Sequence, residues 1–244
     1  VSDVGAATPT VSAIIPVHDG ARYLAEAIGS VLAQDHRPLE VIVIDDGSTD
    51  ESAAVAAAFG PPVRVASQER QGAGAARNHG ATLARGEWLA FLDADDCWLP
   101  DKLSRQLAVP AADPGVEIVF GAVEYFYSPE LDEAARARLQ CPPGVRTGPL
   151  SSSLLVRREA FARTGGFDPR FRLGELLDWY GRAIDLGVRA VTLPDLVFRR
   201  RVHGANHSIT LADARPDFLL AVRERLARMR GAEREMRNGE GQDG

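Results

Sequence analysis

Three aspartates, Asp93, Asp95 and Asp96, follow an apolar run in the stretch "FLDADDCW" at 91–98. A carboxylate carried toward a core loses hydration, and that loss is costly unless a cation or hydrogen bonds compensate it. A divalent ion carried by a phosphate ligand would do so. Hard cations such as Mg²⁺ and Mn²⁺ favour oxygen ligands, and Mg²⁺ commonly uses one or two protein carboxylates and completes its shell with substrate phosphates. A lone acidic cluster is as readily a turn. Here, however, polar or acidic clusters end two further apolar runs: His18 with Asp19 after "SAIIPV", and Asp45 with Asp46 after "VIVI".

The elements around these clusters alternate. "TVSAIIPV" (10–17) is β-branched and apolar, and it precedes an amphipathic stretch over 21–34 with Tyr23, Leu24, Ala27, Ile28, Val31 and Leu32 at helical spacing. "VIVI" (41–44) is apolar on both faces, as a strand in a covered parallel sheet should be, and Ser48 to Glu51 has the form of a helix start. "VRVA" (63–66), an Ala-rich helix over 72–84 and the strand "EWLAFLDADD" continue the pattern. The expectation is an α/β fold with a mostly parallel sheet, helices on both faces, and ligands at the carboxyl ends of the strands.

Beyond Pro110 the rhythm loosens. The sequence predicts a strand or strand pair over 116–126 and a polar excursion from 128. A strand, short helix and glycine turn follow over 151–168, then a helix over 173–186 and two strands, "RAVTLP" and "LVFRRRVH". The segment from Asp217 places Leu219, Val222, Leu226, Met229 and Met236 near one face of a helix with arginines around it. That face suits the catalytic body or a second copy of the chain in a homodimer; peripheral contact with an anionic membrane surface is the alternative. The organisation expected is one domain over 1–212, divided near 110 where the rhythm changes. The amphipathic helix and a polar tail lacking apolar anchors then occupy 213–244.

Composition excludes some classes. The 244 residues are 45% apolar and 25% charged, enough for a real core, and the formal charge of -6 argues against general nucleic-acid binding. Two cysteines, Cys97 and Cys141, make neither a disulfide framework nor a zinc set, which points toward a reducing, cytoplasmic setting. No apolar run approaches the roughly 20 residues of a membrane span, and the first residues lack signal-peptide features. "GAGAARNHG" (72–80) has the glycines of a dinucleotide fingerprint, but Arg77 holds its sixth position and the strand–turn context is missing, so a dehydrogenase is rejected.

Taken in order, "SAIIPVHDGARYLAEAIGSVLAQ", "LEVIVIDDGSTD", "GAGAARNHGATLARGEWLAFLDADDCWLPDKL", "GGFDPRF", "LGELLDWYGRA" and "RRVHGANHS" resemble the family 2 glycosyltransferases, which have the GT-A fold, over roughly residues 10 to 210. The resemblance implies that 1–212 is a catalytic domain, with a Rossmann-like half over about 10–110 that binds a nucleotide diphosphate sugar, a UDP-sugar above all, and an acceptor half over 111–212. Pro16, Val17, His18 and Asp19 would line the nucleoside pocket with Asp45 and Asp46, Asp46 accepting the N–H of uracil. Arg77 and Asn78 would approach the nucleotide. Asp93, Ala94 and Asp95 match the family's metal motif, with Asp93 toward the ribose or metal water and Asp95 on Mg²⁺ or Mn²⁺. His203 would stand near the metal and diphosphate, and Arg199 to Arg201 could balance phosphate charge. Cys97 and Trp98 are expected to pack beneath the loop.

The resemblance frays at the catalytic base. Inverting members need a group to take the acceptor's proton, and the family usually supplies it from a Glu-Asp pair. Here Glu175 is followed by Leu176, so the base is assigned to Glu175, with Asp178, three residues on and on the same helical face, as second candidate. Trp179 and Tyr180 belong near the acceptor or in the core. The acceptor itself is not specified. The rival readings are a nucleotide-sugar-binding pseudoenzyme or scaffold, which Leu176 suggests, and a nucleotidyltransferase, for which the glycine-rich, lysine-bearing loop is lacking.

Overall fold

A computed structural model describes residues 8–206, 219–220 and 222–225. In chain order its first half is β1 (Val11–Val17), α1 (Ala21–Leu32), β2 (Glu40–Asp46), α2 (Ser52–Ala57), β3 (Val63–Gln68), α3 (Ala73–Leu83) and β4 (Trp88–Phe91). The second half is β5 (Cys97–Trp98), α4 (Lys102–Ala112), β6 (Val116–Tyr127), α5 (Glu133–Arg138), β7 (Val145–Arg146), a 3₁₀ turn at Ser151–Ser153, β8 (Leu155–Arg157), α6 (Arg158–Arg163), α7 (Glu175–Asp185) and β9 (Arg189–Val202). The strands form one mixed sheet in the order β3-β2-β1-β4-β8-β6-β9-β5, with β7 beside β6. β1 to β4 are parallel throughout, whereas β8 runs against both β4 and β6. Because β8 bridges them, the two expected halves share a single sheet.

The apolar runs are continuous because both faces of the first strands are covered. Side chains alternate across a strand. Val11, Ala13 and Ile15 of β1 therefore join Leu24, Ile28 and Val31 of α1 in one core, while Ile14 joins Ile42, Ile44 and Phe91 in the core on the opposite face. The second core also takes Phe161, Phe167 and Trp179, whose rings pack at 5.2 to 5.7 Å. α3 lies directly on β1 at Gly80, where a Cβ would come within 2.5 Å of Ile14 Cγ2. That close approach fixes the helix turn that carries Arg77.

Register sets where the acids fall. Ile14 pairs with Phe91, and Leu92 N–H still donates to Ile14 O at 3.1 Å. The chain then leaves the sheet, so Asp93 to Asp96 lie in the loop beside the end of β1.

Several expectations need correction. Ser48 to Glu51 does lead into α2, which begins at Ser52, but it is Asp50 rather than the N-cap Glu51 that accepts the first N–H, from Ser52 at 2.9 Å. The same turn also serves α1: Gly20 N–H donates to Ser52 Oγ and Ala21 N–H to Asp50 Oδ2, each at 3.0 Å. Those are two of the N–H groups a helix start leaves without partners. Residues 116–126 form one long strand rather than a pair, and "RAVTLP" and "LVFRRRVH" merge into β9, which pairs with β6 through register shifts. The polar excursion carries the short, exposed α5, capped by Asp132 through Ala135 N–H. Of the expected C-terminal helix, residues 219–220 and 222–225 are helical and the remainder lies outside the described residues. Among the described residues no helix is long and apolar enough to cross a membrane.

Candidate active site

Two clefts meet at the carboxyl ends of the parallel strands. The first, about 400 Å³, is lined by Pro16, Val17, His18 and Asp19 after β1, by Asp93, Ala94 and Asp95 after β4, and by Arg200 and His203 at the end of β9. These nine residues, all singled out in the sequence, thus come together there. The second, about 700 Å³, lies on the side of α7 and includes Glu175 and Arg77. Ala73, Asp93 and Arg200 border both.

The wall beneath the first cleft is made by locking two loops together. His18 Nδ1 lies 2.9 Å from Asp46 O, and Thr49 N–H donates to Asp19 Oδ1 at 2.7 Å. Asp19 tolerates a φ of 48° in that turn, and the Thr49 N–H holds its carboxyl below the usual range. Asp45 accepts Ser48 N–H at 3.0 Å. Asp46 is buried and accepts Gln68 Nε2, Gln71 N–H and Gly72 N–H, all at 2.8 Å, which ties β2 to the turn before α3. Neither Asp45 nor Asp46 is among the residues lining the first cleft.

The acids after β4 have three different fates. Asp96 is buried; its Oδ1 accepts Arg201 N–H at 3.1 Å and its Oδ2 the Ser152 hydroxyl at 2.8 Å. Burial, with the neighbouring Asp95 charge, pushes its carboxyl well above the ordinary range. It is a strut between strands. Asp93 pairs with Arg77 at 2.6 Å. Asp95 Oδ2 receives His203 Nε2 at 2.9 Å and Asn206 Nδ2 at 3.1 Å, while Oδ1 takes no hydrogen bond among the described residues. Because His203 Nδ1 accepts Ala205 N–H at 3.3 Å, the ring proton is assigned to Nε2.

Whether a divalent ion fits can be judged from these donors. An ion with bonds of about 2.0–2.1 Å places adjacent ligands about 3 Å apart, the separation of His203 Nε2 and Asp95 Oδ2. Among the described residues no group of three or more His, Cys, Asp and Glu is arranged to hold an ion. Asp95 and His203 would therefore fit an ion whose remaining ligands are phosphate oxygens and water once the imidazole proton moves from Nε2 to Nδ1, which gives up the 3.3 Å contact with Ala205 N–H.

The arginines of β9 divide the work. Arg201 is buried and clamped, its Nε on Asp95 O at 3.1 Å and its Nη2 on Glu26 at 2.5 Å. Arg199 pairs outward with Glu124 at 3.0 Å. Arg200 borders both clefts, and its side chain makes no hydrogen bond among the described residues. Burial alone would lower its pKa, but the Asp96, Asp93 and Asp95 carboxylates outweigh it and raise it. It remains a cation facing the place where phosphate would sit.

In the second cleft Glu175 opens α7 and accepts Arg77 Nη1 at 2.8 Å. Arg77, 3% exposed, thereby joins Asp93 to Glu175. Besides Asp45 and Asp46, two further expected site residues are placed elsewhere. Asn78 spends both ends of its amide on Phe167, 2.8 Å to the N–H and 2.7 Å to the carbonyl, and so fixes the Gly165–Gly166 turn rather than approaching the first cleft. Asp178 is buried, bonded to Arg182 at 2.8 Å, and borders neither cleft. Its Arg182 holds the Thr164 and Gly166 carbonyls, so the pair is a brace for the same turn. Trp179 and Tyr180 are core, the latter edge-on to Phe120 at 5.3 Å. Cys97 is no nucleophile: burial, then Glu26, pushes its thiol up to about 12.

Tyr23, Glu130 and Asn206 also border the first cleft and were not anticipated. Asn206 stands three residues after His203, a spacing that could have drawn attention to it; Glu130 lies in the polar excursion and gave no signal. Tyr23 stacks on His203 at 4.8 Å.

A half-sheet of parallel strands, with acids at its carboxyl ends and a second cleft built on an antiparallel extension, is the architecture of the GT-A fold. The family model for glycosyl transferase family 2 matches residues 12–164. An uncharacterized glycosyltransferase of Nostoc sp. is 33% identical over 84% of this chain and 68% of its own length. The succinoglycan biosynthesis protein ExoO of Rhizobium meliloti is 42% identical over 41% of this chain and 29% of its own. Among solved structures, S. aureus TarS 1-349 in complex with UDP-GlcNAc superposes with a TM-score of 0.69 at 19% identity, covering 88% of this chain and 65% of that one. The mannosyltransferase PcManGT of Pyrobaculum calidifontis, in complex with GDP-Man and Mn²⁺, gives 0.63 at 25% identity over 82% and 59%. The chain belongs to glycosyl transferase family 2.

Proposed function

We propose that this chain is a metal-dependent, inverting glycosyltransferase that moves a sugar from a nucleoside diphosphate sugar, with a UDP-sugar as the preferred donor, to an acceptor hydroxyl. The observation that carries the proposal is the junction of the two clefts at Asp93 and Arg200, with Asp95 and His203 on one side and Glu175 on the other. Solved relatives in fold carry UDP-GlcNAc in one case and GDP-Man with Mn²⁺ in another.

The nucleoside lies along Pro16 to Asp19 in this reading. Asp46, buried and outside the lining of that cleft, holds the loop behind it through Gln68, Gln71 and Gly72 rather than meeting the base. Arg200 faces the diphosphate. Mg²⁺ or Mn²⁺ held by Asp95 and His203 would add positive charge where the departing diphosphate gains negative charge. The acceptor oxygen attacks the anomeric carbon from the side opposite the diphosphate; the new C–O bond forms as the bond to phosphate breaks, and the diphosphate leaves with its electron pair. Glu175 takes the acceptor proton. Arg77 holds that carboxylate and Asp93 at fixed separation, which keeps base and donor in register.

The test offers UDP-glucose, UDP-N-acetylglucosamine and GDP-mannose with Mn²⁺ or with EDTA, and follows release of nucleoside diphosphate. Release from a UDP-sugar, lost in EDTA, is expected. Equal release in EDTA would remove the metal from the proposal, and release from none of the three donors would remove the donor class.

A further inference from the structure

We propose that the acceptor presents its hydroxyl on an aliphatic body, so that the enzyme glycosylates an amphiphile rather than a bare glycan. The inference rests on the function proposed above and concerns the second cleft. That cleft is about 700 Å³, larger than the first, and beside its charged and serine residues it has a continuous set of aliphatic ones: Pro149, Leu150, Leu173, Leu176, Leu177 and Leu219.

A glycan site is built from aromatic faces, on which sugar rings stack, and from side chains that hydrogen-bond to hydroxyls. The aromatic residues of α7 are committed elsewhere, Trp179 to the core and Tyr180 to Phe120, and the one aromatic residue in the lining, Phe198, is fully buried. Much of the polar lining is already engaged. Arg77 spans Asp93 and Glu175, and the Ser152 hydroxyl lies between Asp93 N–H and Asp96. These groups mark the end that touches the donor cleft, since Asp93 and Arg200 border both. An acceptor placed here sets its hydroxyl beside Glu175 and has mainly leucine and proline for its remaining contacts, with Ser151 and Arg172 as the further polar neighbours. Leu176, in the position after Glu175, contributes to that wall. An aliphatic body gains from such burial, whereas a bare sugar would lose hydration without replacing its hydrogen bonds.

The experiment uses the full chain with a UDP-sugar, Mn²⁺ and n-alkyl β-glucosides from methyl to octyl, below micelle-forming concentrations, and follows both glycosylated product and nucleoside diphosphate. Each fully buried methylene improves binding by at most about fourfold, so kcat/KM is expected to rise at least tenfold from methyl to octyl. In Leu177→Gln the rise should flatten, and an unchanged donor dissociation constant shows that the variant is folded. Donor turnover with no dependence on chain length, or a preference for unalkylated oligosaccharides, overturns the inference and leaves the proposed function standing. Absence of donor turnover with every acceptor and with water overturns both.

Discussion

Glu175 and Arg77 stand 98 residues apart in the chain and meet at 2.8 Å, with Arg77 bonded at the same time to Asp93 at 2.6 Å. One buried guanidinium thus links the acid at the mouth of the donor cleft to the acid at the mouth of the acceptor cleft. For Glu175→Gln the expected outcome is transfer reduced by roughly 10²–10⁴-fold with donor binding retained, because the amide oxygen still accepts from Arg77 but cannot take a proton. Comparing kcat with the donor dissociation constant checks it, and unchanged turnover removes Glu175 from the chemistry.

Arg77→Ala leaves Asp93 and Glu175 without their common cation in a half-buried setting. Removing one partner of a buried ion pair costs roughly 3–5 kcal/mol, and partial exposure of the two acids places the expected loss near 3 kcal/mol. Arg77→Lys should recover little, since an ammonium cannot span two carboxylates as the planar fork does. Urea unfolding of the three proteins measures this; full recovery by lysine would argue that charge alone matters.

Lys102, the chain's only lysine, is fully buried over the Trp98 ring at 4.2 Å, with Gln106 Oε1 2.6 Å from its Nζ. Burial lowers its pKa well below the ordinary 10.5. Between the lowered folded value and the unfolded one, the unfolded chain binds more protons, so stability rises with pH across that window. Relative to Lys102→Met, the wild-type protein should therefore gain stability from pH 7 to pH 10. Thermal unfolding of both proteins at the two pH values gives the answer, and a flat or falling difference contradicts it.

The first half of the fold was legible because covered parallel strands leave a plain trace. "AIIPV" and "VIVI" are apolar at every position since each strand faces a core on both sides. The later sheet was harder to read: β9 alternates buried and exposed residues irregularly because its register with β6 shifts, which made one strand look like two. In the site, the strand-end residues Asp19 and Asp95 line the first cleft, although Asp45 and Asp46, also at a strand end, do not. Asn78 and Asp178 line neither of the two clefts. Asn78 looked like a nucleotide contact until Phe167 occupied both ends of its amide, and Asp178 shared a helical face with Glu175 but is withdrawn by Arg182. Spacing gives a residue's direction on its own element; it does not give what packs over it.

The central claim is that Asp95 serves a divalent ion bound together with a nucleoside diphosphate. Calorimetric titration of UDP into wild-type protein and Asp95→Ala, each with Mn²⁺ and with EDTA, addresses it directly. The expected result is UDP binding at least about tenfold tighter with Mn²⁺ in the wild-type protein, in line with the 10–100-fold weight of groups that hold a metal in place, and no such gain in Asp95→Ala. Equal UDP affinity under all four conditions would contradict the claim.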